Sequence, residues 1–120
     1  FRQAVASVLR INETFELRVA VRTALLEMQE QIRRHAMYPA CFDTKTAQLM
    51  LFGMLLMNLQ DAAKLHAIAA RRAGATWEEL SAVVGLAFLF RGLSAANYGF
   101  QILQEMAQAE TAAVETTQRR

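Results

Sequence analysis

Ala70-Arg71-Arg72-Ala73-Gly74-Ala75-Thr76-Trp77-Glu78-Glu79-Leu80 closes one helix and opens the next. Gly74 offers the left-handed residue on which helices commonly end, and Arg71 and Arg72 suit the negative end of a helix dipole. Thr76 and Glu79 stand three residues apart, the spacing of a capping box. In that motif the hydroxyl accepts from the glutamate's amide while the carboxylate returns to the threonine's amide.

Working outward, the capping box starts a helix that runs to about Phe90, Gly92 ends it, and Ser94 starts a last helix that fades in the polar tail after Ala109. The polar end is expected to fray at Arg119 and Arg120. Upstream of Gly74 a helix reaches back to about Leu59. Before it, Asp43 or Thr44 caps a helix to about Met57; Asn58 interrupts, and Asp61 is placed to return a capping contact. Pro39, the only proline, puts a loop at Ala36–Phe42. Phe1–His35 contains neither Gly nor Pro, and Val5, Val8, Leu9, Phe15, Val19, Leu25, Leu26, Met28 and Ile32 recur at helical spacing. This segment is one long helix, or two helices broken near Asn12, a residue suited to capping. No window alternates as a strand does. The fold class is all-α: one domain over 1–120, a bundle of about six helices.

Composition agrees. Of 120 residues, 54% are hydrophobic and 20% charged, and Gly and Pro together are few, which excludes a disordered tail and a turn-rich β fold. The net charge of +2 gives no pull toward nucleic acid, and Arg33-Arg34 and Arg71-Arg72 lack the long basic face of a nucleic-acid binder. The single cysteine excludes an internal disulfide framework and fits a reducing compartment, so the expected location is cytoplasmic. The segment after Phe1 does not read as a secretory leader. Leu49–Met57 and Val83–Phe90 are too short to span a membrane, so no membrane partner is expected. His35 and His66 lie far apart with no acidic residue at ligand spacing, so neither a metal nor another cofactor is expected.

Leu49–Met57 and Val83–Phe90 are apolar on every face. Such helices are buried all round, and a domain of this size has little material to wrap two of them. A homo-oligomer is the expected solution.

His66 shares its helical face with Leu59, Ala62, Ala63, Ala69, Ala70 and Ala73. Alanines leave volume beside the ring, room for a closely packed helix or for a small-molecule substrate. Imidazole is the side chain best matched to proton transfer near neutral pH. Arg91, at the end of an apolar helix, either pairs with the last carbonyls or clamps a substrate carboxylate. Asn97 and Tyr98, early in the last helix, are a cap neighbour and a core aromatic, or pocket residues. Cys41 is a packing residue or a lone redox thiol. Met50, Met54 and Met57 read as adaptable packing.

Three segments, Phe42-Asp43-Thr44-Lys45-Thr46-Ala47-Gln48-Leu49, His66 through Leu80 and Phe90-Arg91-Gly92-Leu93, carry a resemblance. In order and spacing the chain resembles the carboxymuconolactone decarboxylase and alkyl hydroperoxidase D-like family, with 42–103 as its core and 1–38 as its variable N-terminal part. The resemblance implies an all-helical subunit that assembles into trimers or hexamers. It implies His66 as the residue acting on a ring lactone in the decarboxylase branch. The redox branch places a Cys-x-x-Cys pair before that histidine, where this chain has Leu59 and Ala62, so dithiol peroxidase chemistry is not expected. The family's acidic residue matches Gln48, an amide that orients His66 or substrate by hydrogen bonding but relays no proton. The expected function is a small oligomeric lyase for a carboxylated ring or lactone, with His66 as proton donor or acceptor and Arg91, Gln48, Tyr98 and Asn97 as substrate contacts. The alternatives are a hydroperoxide or thiol redox enzyme using Cys41 alone, and a non-catalytic oligomeric binding protein.

Overall fold

A computed structural model of the chain describes the backbone of residues 2–119 and the side chains of residues 14–119. Expectations resting on the side chains of Val5, Val8, Leu9 and Asn12, or on Phe1 and Arg120, lie outside the described residues. Five helices and no strand occur among them: α1 (Arg2–Met37), α2 (Thr44–Met57), α3 (Ala63–Arg72), α4 (Trp77–Arg91) and α5 (Leu93–Arg119). The expected count was about six. The difference lies in the N-terminal segment, where α1 passes through Asn12 without a break.

The chain divides into two units, residues 1–39 and 40–120. The first is α1 and the turn into Pro39. Its large apolar side chains are exposed along the described length, among them Phe15, Leu25 and Ile32.

The second unit is built around the buried faces of α2 to α5. Phe52 and Leu56 of α2 meet Ala63, Ala67 and Ala70 of α3, Leu80 and Val84 of α4, and Ile102, Leu103 and Met106 of α5 in one core. The alanine stripe of α3 leaves little bulk between helices. Gly99 does the same for α5: a β-carbon there would stand 2.8 Å from Val84 Cγ2 and 3.0 Å from Leu56 Cδ2.

The helix ends follow local chemistry. Asp43 caps α2, its Oδ1 accepting from the Thr46 amide at 2.7 Å. Hydrogen bonding from the Thr46 side chain first, and from the Thr46 amide second, holds the Asp43 carboxyl below its ordinary pKa. Thr76 and Glu79 form the complete capping box, both bonds 3.1 Å long. The Thr76 amide, and after it Lys45 at 3.0 Å, lower the pKa of Glu79. Gly74 ends α3 with φ of 104°. The Gly74 and Ala75 amides return to the Arg71 and Ala70 carbonyls, the paired bonds of a Schellman turn.

Two boundaries and one capping contact differ from the sequence reading. α3 begins at Ala63, not near Leu59. Residues 58–62 form a turn because α2 also ends in a Schellman pair, Leu59 amide to Leu56 carbonyl and Gln60 amide to Leu55 carbonyl, both 3.0 Å. Leu59 fills the left-handed position at φ 52°. Asp61 does not cap back onto Asn58, whose side-chain amide donates to the Met54 carbonyl instead. The second boundary is that of α5, which does not fade after Ala109 but continues to Arg119. Alanines favour the helix there, and the hydroxyls of Thr111, Thr116 and Thr117 donate to carbonyls four residues back. No side chain from Ala107 to Arg119 is buried.

Among the described residues no helix is long and apolar enough to cross a membrane.

Candidate functional site

His66 lies in the second turn of α3, partly buried, beside the Ala63–Ala67–Ala70 stripe that packs into the core. Its Nδ1 is 2.7 Å from Oε1 of Gln48. Gln48 sits in the second turn of α2 and is only 4% exposed, the one polar side chain in the buried set of described residues. Two local rules bring this pair together. The Asp43 cap fixes where α2 starts, which places Ala47, Gln48 and Phe52 on its buried side. The turn at 58–62 folds α3 back along α2. Sequence reading matched Gln48 to the family's acidic position, and the structure shows it touching His66.

A carbonyl oxygen only accepts, so a proton must sit on Nδ1 for this bond to form. A neutral imidazole so held keeps its basic lone pair at Nε2. Gln48 itself carries no charge and accepts no proton near neutral pH.

The other nominated residues are placed apart from this hydrogen bond. Tyr98 is partly buried on α5, and its hydroxyl donates to Asp61 Oδ1 at 3.4 Å and lies 3.5 Å from the Gln60 carbonyl. Desolvation first, and the Asp61 carboxylate second, raise the Tyr98 pKa. Arg91 and Asn97 are exposed, as is Cys41 in the loop before α2. None of these three makes a side-chain hydrogen bond or ion pair with another described residue. No group of three or more His, Cys, Asp or Glu able to hold a metal occurs among the described residues.

The second unit also carries two grooves, of which only one was foreshadowed by the sequence. One, of about 480 Å³ between α3 and α5, has Ile68 and Met106 in its floor; the pairs Lys64–Glu105 at 2.7 Å and Arg71–Glu110 at 2.9 Å cross it. The other, of about 380 Å³ between α2 and α4, is lined by Met50, Met54, Met57, Leu86 and Phe90 among others, and Thr46 is its only polar side chain. His66 lines neither. The first could not be read from one helix at a time, because its charged rims come from residues about 40 positions apart. The second was legible as the unbroken apolar run of each helix.

Residues 23–105 match the model of the carboxymuconolactone decarboxylase family. No curated protein and no solved structure matches the chain. The match takes in the second half of α1, all of α2, α3 and α4, and α5 as far as Glu105, with both His66 and Gln48 inside it. Spanning well over half of the sequence, it makes this chain a member of the carboxymuconolactone decarboxylase family.

Proposed function

We propose that the chain is a small lyase of this family, acting on a carboxylated ring or lactone with His66 as the proton carrier. The observation that carries the reading is the half-buried imidazole anchored at Nδ1 by a buried amide among alanines. In such a reaction the bond from ring carbon to carboxylate breaks, carbon dioxide leaves, and the electron pair stays on the ring. A proton delivered by His66 ends on that carbon. Arg91 supplies the carboxylate contact in this reading, since its exposed guanidinium has no described partner to displace.

The test is carbon dioxide release from a panel of small carboxylated lactones by the wild type and His66→Ala. A positioned proton carrier contributes about 10²–10⁴-fold, so His66→Ala should lose at least about a hundredfold. Equal turnover by both proteins would refute the reading.

The assembly belongs to the same proposal. Met54, Leu86 and Phe90 expose 60%, 60% and 73% of their surface along the α2–α4 groove. A continuous apolar surface of this kind marks an interaction site. Methionine suits it, because its flexible thioether fills irregular gaps. We assign this face to contacts between copies in a trimer or hexamer. Sedimentation should show that assembly, and Met54→Glu with Phe90→Glu should reduce it to monomer. A dilution-resistant wild-type monomer would reject it.

A further inference from the structure

We propose that α1 carries a self-complementary docking face: the stripe Leu17, Val21, Leu25, Met28 and Ile32 pairs antiparallel with the same stripe of a second copy of this chain. Each of these side chains is more than half exposed. Their spacings of four, four, three and four residues keep them within an arc of about 80° on an ideal helix. A sustained apolar stripe on a helix is a surface for another helix.

The order of residues in the stripe names the occupant. Leu17 and Ile32 are equally distant from the midpoint between Ala24 and Leu25, and so are Val21 and Met28. A twofold axis through that midpoint sets Leu17 level with the partner's Ile32, Val21 with the partner's Met28, and the small Ala24 with the partner's Leu25. Each contact then occurs twice, as an interface between identical surfaces requires. Charge agrees with the same direction. Glu16 and Arg34 are exposed, and neither has an ion-pair partner among the described residues. They stand 18 residues apart, five full turns, and so share one edge of the stripe. The twofold brings each Glu16 level, to within one residue, with the partner's Arg34. In a parallel pair the two would lie about 27 Å apart along the helices. Such rim charges fix register and direction more than they add affinity.

The paired stretch is short, so two free chains meet through it only transiently. Copies already held together elsewhere gain it at high effective concentration. A ring built on the α2–α4 faces leaves one α1 stripe on every copy. Twofold pairing of those stripes joins two rings, which selects the hexamer over the trimer. That consequence rests on the assembly proposed above; the α1 contact itself does not.

The experiment is disulfide trapping of single-cysteine chains, all carrying Cys41→Ser, oxidised at high protein concentration and read on a non-reducing gel. Ala24→Cys should yield a covalent dimer, because the twofold places the two β-carbons at position 24 within bonding reach. Leu17→Cys alone should not, since its two copies would lie about 22 Å apart along the helices. An equal mixture of Leu17→Cys and Ile32→Cys should cross-link one to the other. Leu26→Cys, on the far side of α1, is the collision control and should stay uncross-linked. Val21→Glu with Met28→Glu should abolish the bond through Ala24→Cys. The bond should also form in the Met54→Glu, Phe90→Glu background, so failure of the α2–α4 reading does not decide this one. No bond through Ala24→Cys, as when another part of the chain or a different protein covers the stripe, overturns the proposal. So does a bond through Leu17→Cys alone, which marks a parallel pair, or one through Leu26→Cys as fast as through Ala24→Cys. A bond lost in the Met54→Glu, Phe90→Glu background overturns it too.

Discussion

Gly99 and Val84 approach so closely that a β-carbon on the glycine would stand 2.8 Å from Val84 Cγ2 and 2.9 Å from Val84 Cγ1. Val84 is fully buried, so it has no free volume to retreat into. Gly99→Ala should therefore destabilise the protein by about 1–3 kcal/mol, the usual cost of overpacking, despite alanine's better helix propensity. Urea denaturation reads the change. In the double variant with Val84→Ala the cost should be less than the sum of the two singles; strict additivity would show that the two positions do not collide.

Arg71 holds three pieces of backbone together. Its guanidinium lies 4.3 Å from the Trp77 ring centroid, donates to the Ala75 carbonyl at 2.8 Å and pairs with Glu110. Lysine keeps the charge but has neither the planar face nor the fork. Arg71→Lys should cost about 0.5–1 kcal/mol, the range for an exposed cation–π contact. Trp77 is the only tryptophan, so its fluorescence should change in the same variant. An unchanged spectrum and midpoint would contradict the stacking.

Leu59 and Gly74 occupy equivalent positions in two Schellman turns, with φ of 52° and 104°. A left-handed conformation costs an L-residue roughly 1–2 kcal/mol and glycine almost nothing. Leu59→Gly should leave thermal stability unchanged or raise it, while Gly74→Ala should lower it by about 1 kcal/mol. A large loss in Leu59→Gly would mean that its side-chain contacts outweigh the backbone strain.

Asp43, Glu79 and Glu105 all have lowered pKa values, through Thr46, through the Thr76 amide with Lys45, and through Lys64 with Gln101. The folded values lie below the unfolded ones, so their stabilisation is fully present above about pH 4.5 and is lost as pH falls through the folded values. Melting temperature should drop on acidification from pH 6 to pH 3, and less steeply in Glu79→Gln. Tyr98 has the opposite sign: its raised pKa gives stability present below about pH 10 and lost above it. Tyr98→Phe should flatten that alkaline slope, and an unaltered slope would reject the assignment.

Where one residue type settles a local geometry, the sequence was readable. The Thr76–Glu79 box, the Gly74 stop and the Asp43 cap each needed only residues within a single turn of helix. Leu59 was not readable, because its left-handed backbone comes from the Leu55 and Leu56 carbonyls and not from any preference of leucine. The same holds for the site. His66 stood out by its alanine neighbours, and the family resemblance singled out Gln48. The hydrogen bond between them depends on a turn whose form the sequence left open, and the ion pairs Lys64–Glu105 and Arg71–Glu110 depend on how α3 and α5 lie together.

Beyond Met106, α5 buries no side chain yet stays helical for thirteen residues more, tied to α3 by the Arg71–Glu110 pair. Its cooperativity with the core must end near that pair, since nothing after it shares in the common packing. Amide exchange along α5 should therefore break in two: slow through about Met106, at rates set by global unfolding, then progressively faster toward Arg119. A protease would cut back the second part and leave the rest of the unit folded, with its midpoint for unfolding unmoved. Such a helix is a local equilibrium attached to a cooperative one, able to melt and re-form many times within a single lifetime of the native state.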